Sequence, residues 1–158
     1  MALDGDTLLV RAVMLQGSPP YEKSAVYVFT RSGPTFVQQQ RIDLSAPGDF
    51  SWVTTPTAIS GNTFVVAAPW EEANGPKSGA AYVFTRSGGA WTQAARLVSV
   101  DSAPELEFGS AVAVSNDTLL IGSPGDDRAG ADVGRVHAGG RARGSAPSRR
   151  RLLLSRSS

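Results

Sequence analysis

Two unrelated phrases recur along this chain at one spacing, and that recurrence restricts its fold more than any other feature. Gly5-Asp6-Thr7-Leu8-Leu9-Val10 returns as Gly61-Asn62-Thr63-Phe64-Val65-Val66, 56 residues later, and again as Asn116-Asp117-Thr118-Leu119-Leu120-Ile121 after another 55. Independently, Ser24-Ala25-Val26-Tyr27-Val28-Phe29-Thr30-Arg31-Ser32-Gly33 matches Gly79-Ala80-Ala81-Tyr82-Val83-Phe84-Thr85-Arg86-Ser87-Gly88 at a step of 55. A fixed period of this length marks a supersecondary unit that relies on its neighbours to bury its faces.

Each unit reads as four short strands. In the second, Thr57–Ser60 leads into a Gly61-Asn62 turn and Thr63–Ala67 returns. Gly and Asn tolerate the positive φ that tight hairpins demand. A polar loop runs from Pro69 to Ser78, then a third strand over Ala80–Arg86, a Ser87-Gly88-Gly89 turn and a fourth strand over Trp91–Val98. The 17 glycines and 10 prolines cut the chain into many short pieces and favour strands over helices. Four strands per repeat of this length make one propeller blade. The expected fold is therefore all-β: a partial β-propeller of four-stranded antiparallel blades. It comprises a first unit over 1–52, a second over 53–107 and a partial third over 108–136, with a disordered tail over 137–158.

Side-chain alternation supports stacking. Val26 and Val28 face one way along their strand, Tyr27 and Phe29 the other, so both faces are apolar. A strand at a half-wetted surface would alternate with polar residues instead. Neighbouring blades would cover both faces; a β-sandwich is the structural alternative.

The stretch Phe108-Gly109-Ser110-Ala111-Val112-Ala113-Val114-Ser115-Asn116-Asp117-Thr118-Leu119-Leu120-Ile121-Gly122-Ser123-Pro124 resembles the Phe-Gly … Gly-Ala-Pro pattern of the FG-GAP (integrin-α-type) repeat family, with Ser123 in the Ala position. The second unit keeps Ala67-Ala68-Pro69, with Phe50-Ser51 as the nearest remnant of Phe-Gly, and the first has Arg11-Ala12-Val13 where the motif should be. The resemblance spans residues 1–136. It implies a propeller with a ligand-binding rim, often extracellular and adhesive. Gly109 and Gly122 themselves read as a tight backbone approach or a bulge inside a blade.

The same resemblance implies calcium loops between the first two strands of a blade. Ser60-Gly61-Asn62 and Ser115-Asn116-Asp117 hold too few carboxylates for that. A second calcium candidate is the loop after Pro124, with Asp126, Asp127 and Asp132; the bland alternative is a solvated acidic loop. The matching loop of the second unit offers Glu71, Glu72 and Asn74 beside Trp70, a candidate ligand-binding surface. Trp52 is a further aromatic candidate, whereas Trp91 opens a strand and reads as core. No cofactor is expected beyond that possible calcium. Acid–base or nucleophilic catalysis needs paired groups within reach. The chain has no Cys, one His (His137) and only adjacent carboxylate pairs, Glu71/Glu72 and Asp126/Asp127, which strand geometry would point apart. An enzyme is not expected.

Near residue 135 the composition changes. Residues 1–134 carry 8 basic and 14 acidic side chains, while 135–158 carry 7 arginines and no acid. Where the repeat predicts a strand resembling Val83–Arg86, the chain reads Ala138-Gly139-Gly140-Arg141. An out-of-frame tail explains this, and a basic tail for nucleic acid or anionic membrane is the alternative. Met1 aligns with Val112, in mid-strand, so a truncated start is expected as well, and a signal peptide is not evident on this chain. Because known propellers close with about 4–8 blades, further blades of the same parent protein, or self-association, are the expected partners. A protein or glycan ligand is possible and nucleic acid is not expected. The resulting reading is a non-catalytic scaffold or recognition module of an extracellular or cell-surface protein. The alternatives are the propeller portion of a larger secreted hydrolase, or a truncated product without function.

Overall fold

A computed structural model describes residues 1–16, 21–44, 56–99, 104–126, 134–140 and 149–152. They form three antiparallel sheets of four strands each. The first holds β1 (Ala2–Asp4), β2 (Thr7–Gln16), β3 (Tyr21–Ser32) and β4 (Thr35–Leu44), in that spatial order. The second holds β5 (Thr57–Ser60), β6 (Thr63–Ala68), β7 (Ala80–Ser87) and β8 (Ala90–Val98). The third holds β9 (Ala111–Ser115), β10 (Thr118–Ser123), β11 (Arg135–Gly140) and β12 (Arg149–Leu152). Every neighbour in a sheet is the next strand in the chain, the simplest way to pair four strands through short turns.

The turns follow the sequence. Gly5, Gly61 and Asn116, the first turn residues of the recurring phrase, have φ of 52°, 56° and 49°, a left-handed conformation that Gly and Asn adopt most readily. The repeat extends to irregularities: the β3–β4 ladder slips between Val28 and Phe29, and the β7–β8 ladder slips between Val83 and Phe84, one period on.

The sheets stack in chain order, and the two joints are the core. Leu9, Val26, Val28 and Leu44 of the first sheet pack with Phe64, Val66, Tyr82, Phe84 and Trp91 of the second. The Phe64 ring stacks on Phe84 at 4.6 Å between centroids, and Trp91 joins the cluster, as its position at a strand start suggests. The opposite face of the second sheet, Val65, Ala67 and Ala81, packs with Phe108 and Ile121 of the third. All six residues of β6 are consequently buried, as a sandwiched strand requires. On the outer face of the first sheet Tyr27 and Phe29 are only half-buried.

Polar clasps complete the joints. The side-chain carboxylate of Asp4 accepts from the Gly61 amide, and one unit later Ser60 Oγ accepts from the Asn116 amide at 3.0 Å. The Gln40 side-chain amide binds both backbone groups of Trp91, donating to its carbonyl and accepting from its N–H at 2.9 Å each.

Two expectations need correction. The segment expected as a disordered tail supplies strand residues: His137–Gly140 lie in β11 and Arg149–Leu152 form β12, pairing from Val136↔Leu152 to Gly139↔Arg149. Every residue but Pro carries the main-chain donor and acceptor a ladder needs, so even Gly139 and Gly140, of a type poor in strands, lie in the third sheet. The rest of the expected tail, 141–148 and 153–158, lies outside the described residues. The second correction concerns Gly109, whose close approach is between blades and not inside one. With φ of 103°, it presents a bare Cα to the second sheet, and a Cβ there would sit 2.8 Å from the Ala67 Cβ.

Candidate functional site

The candidate site is the loop 69–79, which links the two middle strands of the second blade. Ala68 ends β6, Pro69 has no N–H to continue the ladder, and the Glu71 amide turns back to the Ala68 carbonyl at 3.1 Å. Glu71 therefore points inward, 4% exposed. Burying a carboxylate is costly unless it is fully bonded. Here Tyr82 of β7 donates its hydroxyl to Oε2 at 2.7 Å, and Arg96 of β8 donates Nε to Oε1 at 3.1 Å while its Nη2 closes the ion pair. Arg96 Nε also reaches the Tyr82 hydroxyl oxygen at 3.3 Å.

These contacts alter the protonation of the partners. Burial, reinforced by the hydrogen bond to the Glu71 carboxylate, pushes the Tyr82 phenol up from 10.0 to about 12. The hydrogen bond to Glu71 likewise holds Arg96 in its charged form more firmly than usual. The trio is a latch that ties the loop to two strands.

Further bonds fix the loop. The Gly79 amide donates to the Glu71 carbonyl at 2.9 Å, Ser78 Oγ accepts from the Asn74 amide at 2.8 Å, and the Asn74 side-chain amide reaches the Ser99 carbonyl at 3.3 Å. A strap then runs along the loop: the Glu105, Glu107 and Phe108 amides donate to the carbonyls of Pro76, Lys77 and Ser78.

The four candidate binding residues thus divide. Trp70 is 39% exposed and Glu72 is exposed, both on the braced loop. Glu71 is committed to the latch, and the Asn74 side-chain amide to Ser99. In the third blade Asp126 is wholly buried, with its amide turned to the Ser123 carbonyl at 3.3 Å. This repeats the Glu71–Ala68 turn one period on. Asp127 and Asp132, the other calcium candidates, and Trp52 lie outside the described residues. Among the described residues no group of three or more His, Cys, Asp or Glu side chains could hold a metal ion, and no helix is long and apolar enough to cross a membrane.

Sequence reasoning passed over Tyr82 and Arg96, although a signal was present. Tyr27↔Arg41, Tyr82↔Arg96 and His137↔Arg151 are cross-strand partners at the same place in all three sheets. Such pairing is visible only as Tyr/His and Arg spaced alike in each unit.

Three consecutive four-stranded meanders, packed face on face and clasped at the same turn each time, define an arc of β-propeller blades with its open loops at the strand ends. The FG-GAP repeat family matches residues 56–84 and 91–138, and the chain belongs to that family. No curated protein matches the chain. FG-GAP repeats build non-catalytic propeller modules that often mediate recognition or adhesion and are typical of extracellular or surface proteins.

Proposed function

We propose that this chain is a non-catalytic recognition module whose acting surface is the loop 69–79 of the second blade, presented to a protein or glycan ligand outside the cell. The observation that carries this reading is the pairing of a braced interior with an open exterior. Glu71, buried beneath the loop and bonded to Tyr82 and Arg96, fixes the backbone on which exposed Trp70 and Glu72 stand. An exposed aromatic and an exposed carboxylate on one braced loop offer a ligand apolar area and a hydrogen-bond acceptor with little ordering cost at binding. The calcium reading of the loop after Pro124 rests on Asp126, Asp127 and Asp132.

Screening the chain against arrayed glycans and extracellular-matrix proteins tests the proposal, with Trp70→Ala and Glu72→Ala as controls. Binding that falls at least tenfold in Trp70→Ala, with thermal stability unchanged, supports it. Binding indifferent to both substitutions, or no binding at all, removes it.

A further inference from the structure

The recurring turn phrase differs in the third blade in a way that changes its chemistry. There it reads Asn116-Asp117-Thr118, an asparagine two places before a threonine with a residue other than proline between them. That is the acceptor pattern for N-linked sugar, and it occurs once in the chain. The matching triplets are Gly5-Asp6-Thr7 and Gly61-Asn62-Thr63, with glycine in the acceptor's place. The pattern alone is short, so its position in the fold decides whether a transferase can use it.

Asn116 opens the turn between β9 and β10, with φ of 49°, and is exposed. Its backbone amide is held by Ser60 Oγ at 3.0 Å. Among the described residues no hydrogen bond engages its side-chain amide. Thr118 is the sharper difference. Its counterparts Thr7 and Thr63 are 4% and 6% exposed, and Thr7 lies beneath Arg86 of the second blade, Nη1 to Oγ1 at 3.4 Å. Thr118 is exposed. Acceptor amide and threonine are therefore both open to an enzyme on the folded chain, at a turn whose backbone is already fixed.

The structure assigns Asn116 as the attachment point of an N-linked glycan. The donor is an oligosaccharide carried on a lipid diphosphate. Asn116 Nδ2 forms a bond to the anomeric carbon of the first sugar, and the bond from that carbon to the diphosphate oxygen breaks. The lipid diphosphate leaves with the electron pair, and the amide nitrogen gives up one proton. This inference rests on the placement outside the cell proposed above, because such transfer accompanies export. It concerns the opposite end of the blades from the recognition loop. The six residues of β6 run from Thr63, beside the Ser60–Asn116 clasp, to Ala68 at the start of loop 69–79, roughly 20 Å. A glycan on Asn116 covers the turn end and leaves Trp70 and Glu72 open.

The test incubates the folded full chain with an oligosaccharyltransferase and a lipid-linked oligosaccharide, and reads intact mass and peptide maps. One oligosaccharide is expected, on Asn116. Thr118→Ala keeps the asparagine and is expected to lower transfer at least tenfold. Asn116→Gly installs the residue of the other two turns, keeps their positive φ, and is expected to abolish transfer. Gly61→Asn writes the same pattern into the second blade, where Thr63 is buried, and is expected to add no second glycan while the chain stays folded. An unchanged mass overturns the inference, as does a sugar on another residue or full transfer to Thr118→Ala. Equal modification of both turns overturns the selection by exposure. The assay contains no ligand for loop 69–79, so failure of the acceptor and failure of the recognition reading are seen apart.

Discussion

Glu71 shows how a residue chosen from sequence as a ligand-binding acid serves the fold instead. Its carboxylate is the shared acceptor for one buried phenol and one half-exposed guanidinium, so removing it leaves the Tyr82 hydroxyl unsatisfied. Glu71→Ala should lower unfolding free energy by about 2 kcal/mol, the range for hydrogen bonds to a charged group; chemical denaturation measures it, and an unchanged midpoint would remove the latch. Tyr82 gives the latch a signature in alkali. Its folded-state pKa of about 12 lies above the ordinary 10.0, so the unfolded chain loses this proton first. The stability tied to the phenol is complete below pH 10 and is lost as pH rises toward 12. Tyr82→Phe should be less stable than the parent at neutral pH and lose less stability over that alkaline window. Parallel curves would assign the alkaline loss elsewhere.

Within the blades, glycine separates two physical demands that a sequence presents identically. Gly88 and Gly79 both have positive φ, at 59° and 79°, yet nothing lies within 4 Å of a Cβ on Gly88, while one on Gly79 would strike the Phe108 backbone. Gly88→Ala should cost about 1 kcal/mol, the backbone penalty alone. Gly79→Ala adds overpacking against main chain and should cost about 3 kcal/mol or more. Equal losses in thermal denaturation would mean that the second joint yields easily. Gln40 makes the matching test at the first joint. Gln40→Ala leaves the Trp91 N–H and carbonyl without their side-chain partner and should cost about 1–3 kcal/mol.

For the whole molecule, nearest-neighbour stacking predicts graded protection, because the second sheet is covered on both faces and the outer two on one each. Native-state hydrogen exchange should find the slowest amides in β6 and β7 and faster exchange in β1 and β12. Equal protection of all three sheets would show that another body covers the outer faces. The repeat also assigns Asp126 the place of Glu71. Asp126→Ala should therefore destabilise the chain equally with calcium and with chelator. A loss seen only when calcium is present would make Asp126 a metal ligand instead.

The 55-residue step, the Gly and Asn turns and the doubly apolar strands are properties of local sequence, and they determined the element order, the blade and most strand limits of the second unit. Short-range geometry suffices for those, because hairpin turns and alternating side chains act over a few residues. Whether a carboxylate in loop 69–79 faces water or Tyr82 was decided by tertiary structure, as was the contact of Gly109 with the neighbouring blade. The pairing of Arg149–Leu152 with β11 belongs to the same group. Each depends on atoms brought together from distant parts of the chain, and composition carries no record of which atoms those are.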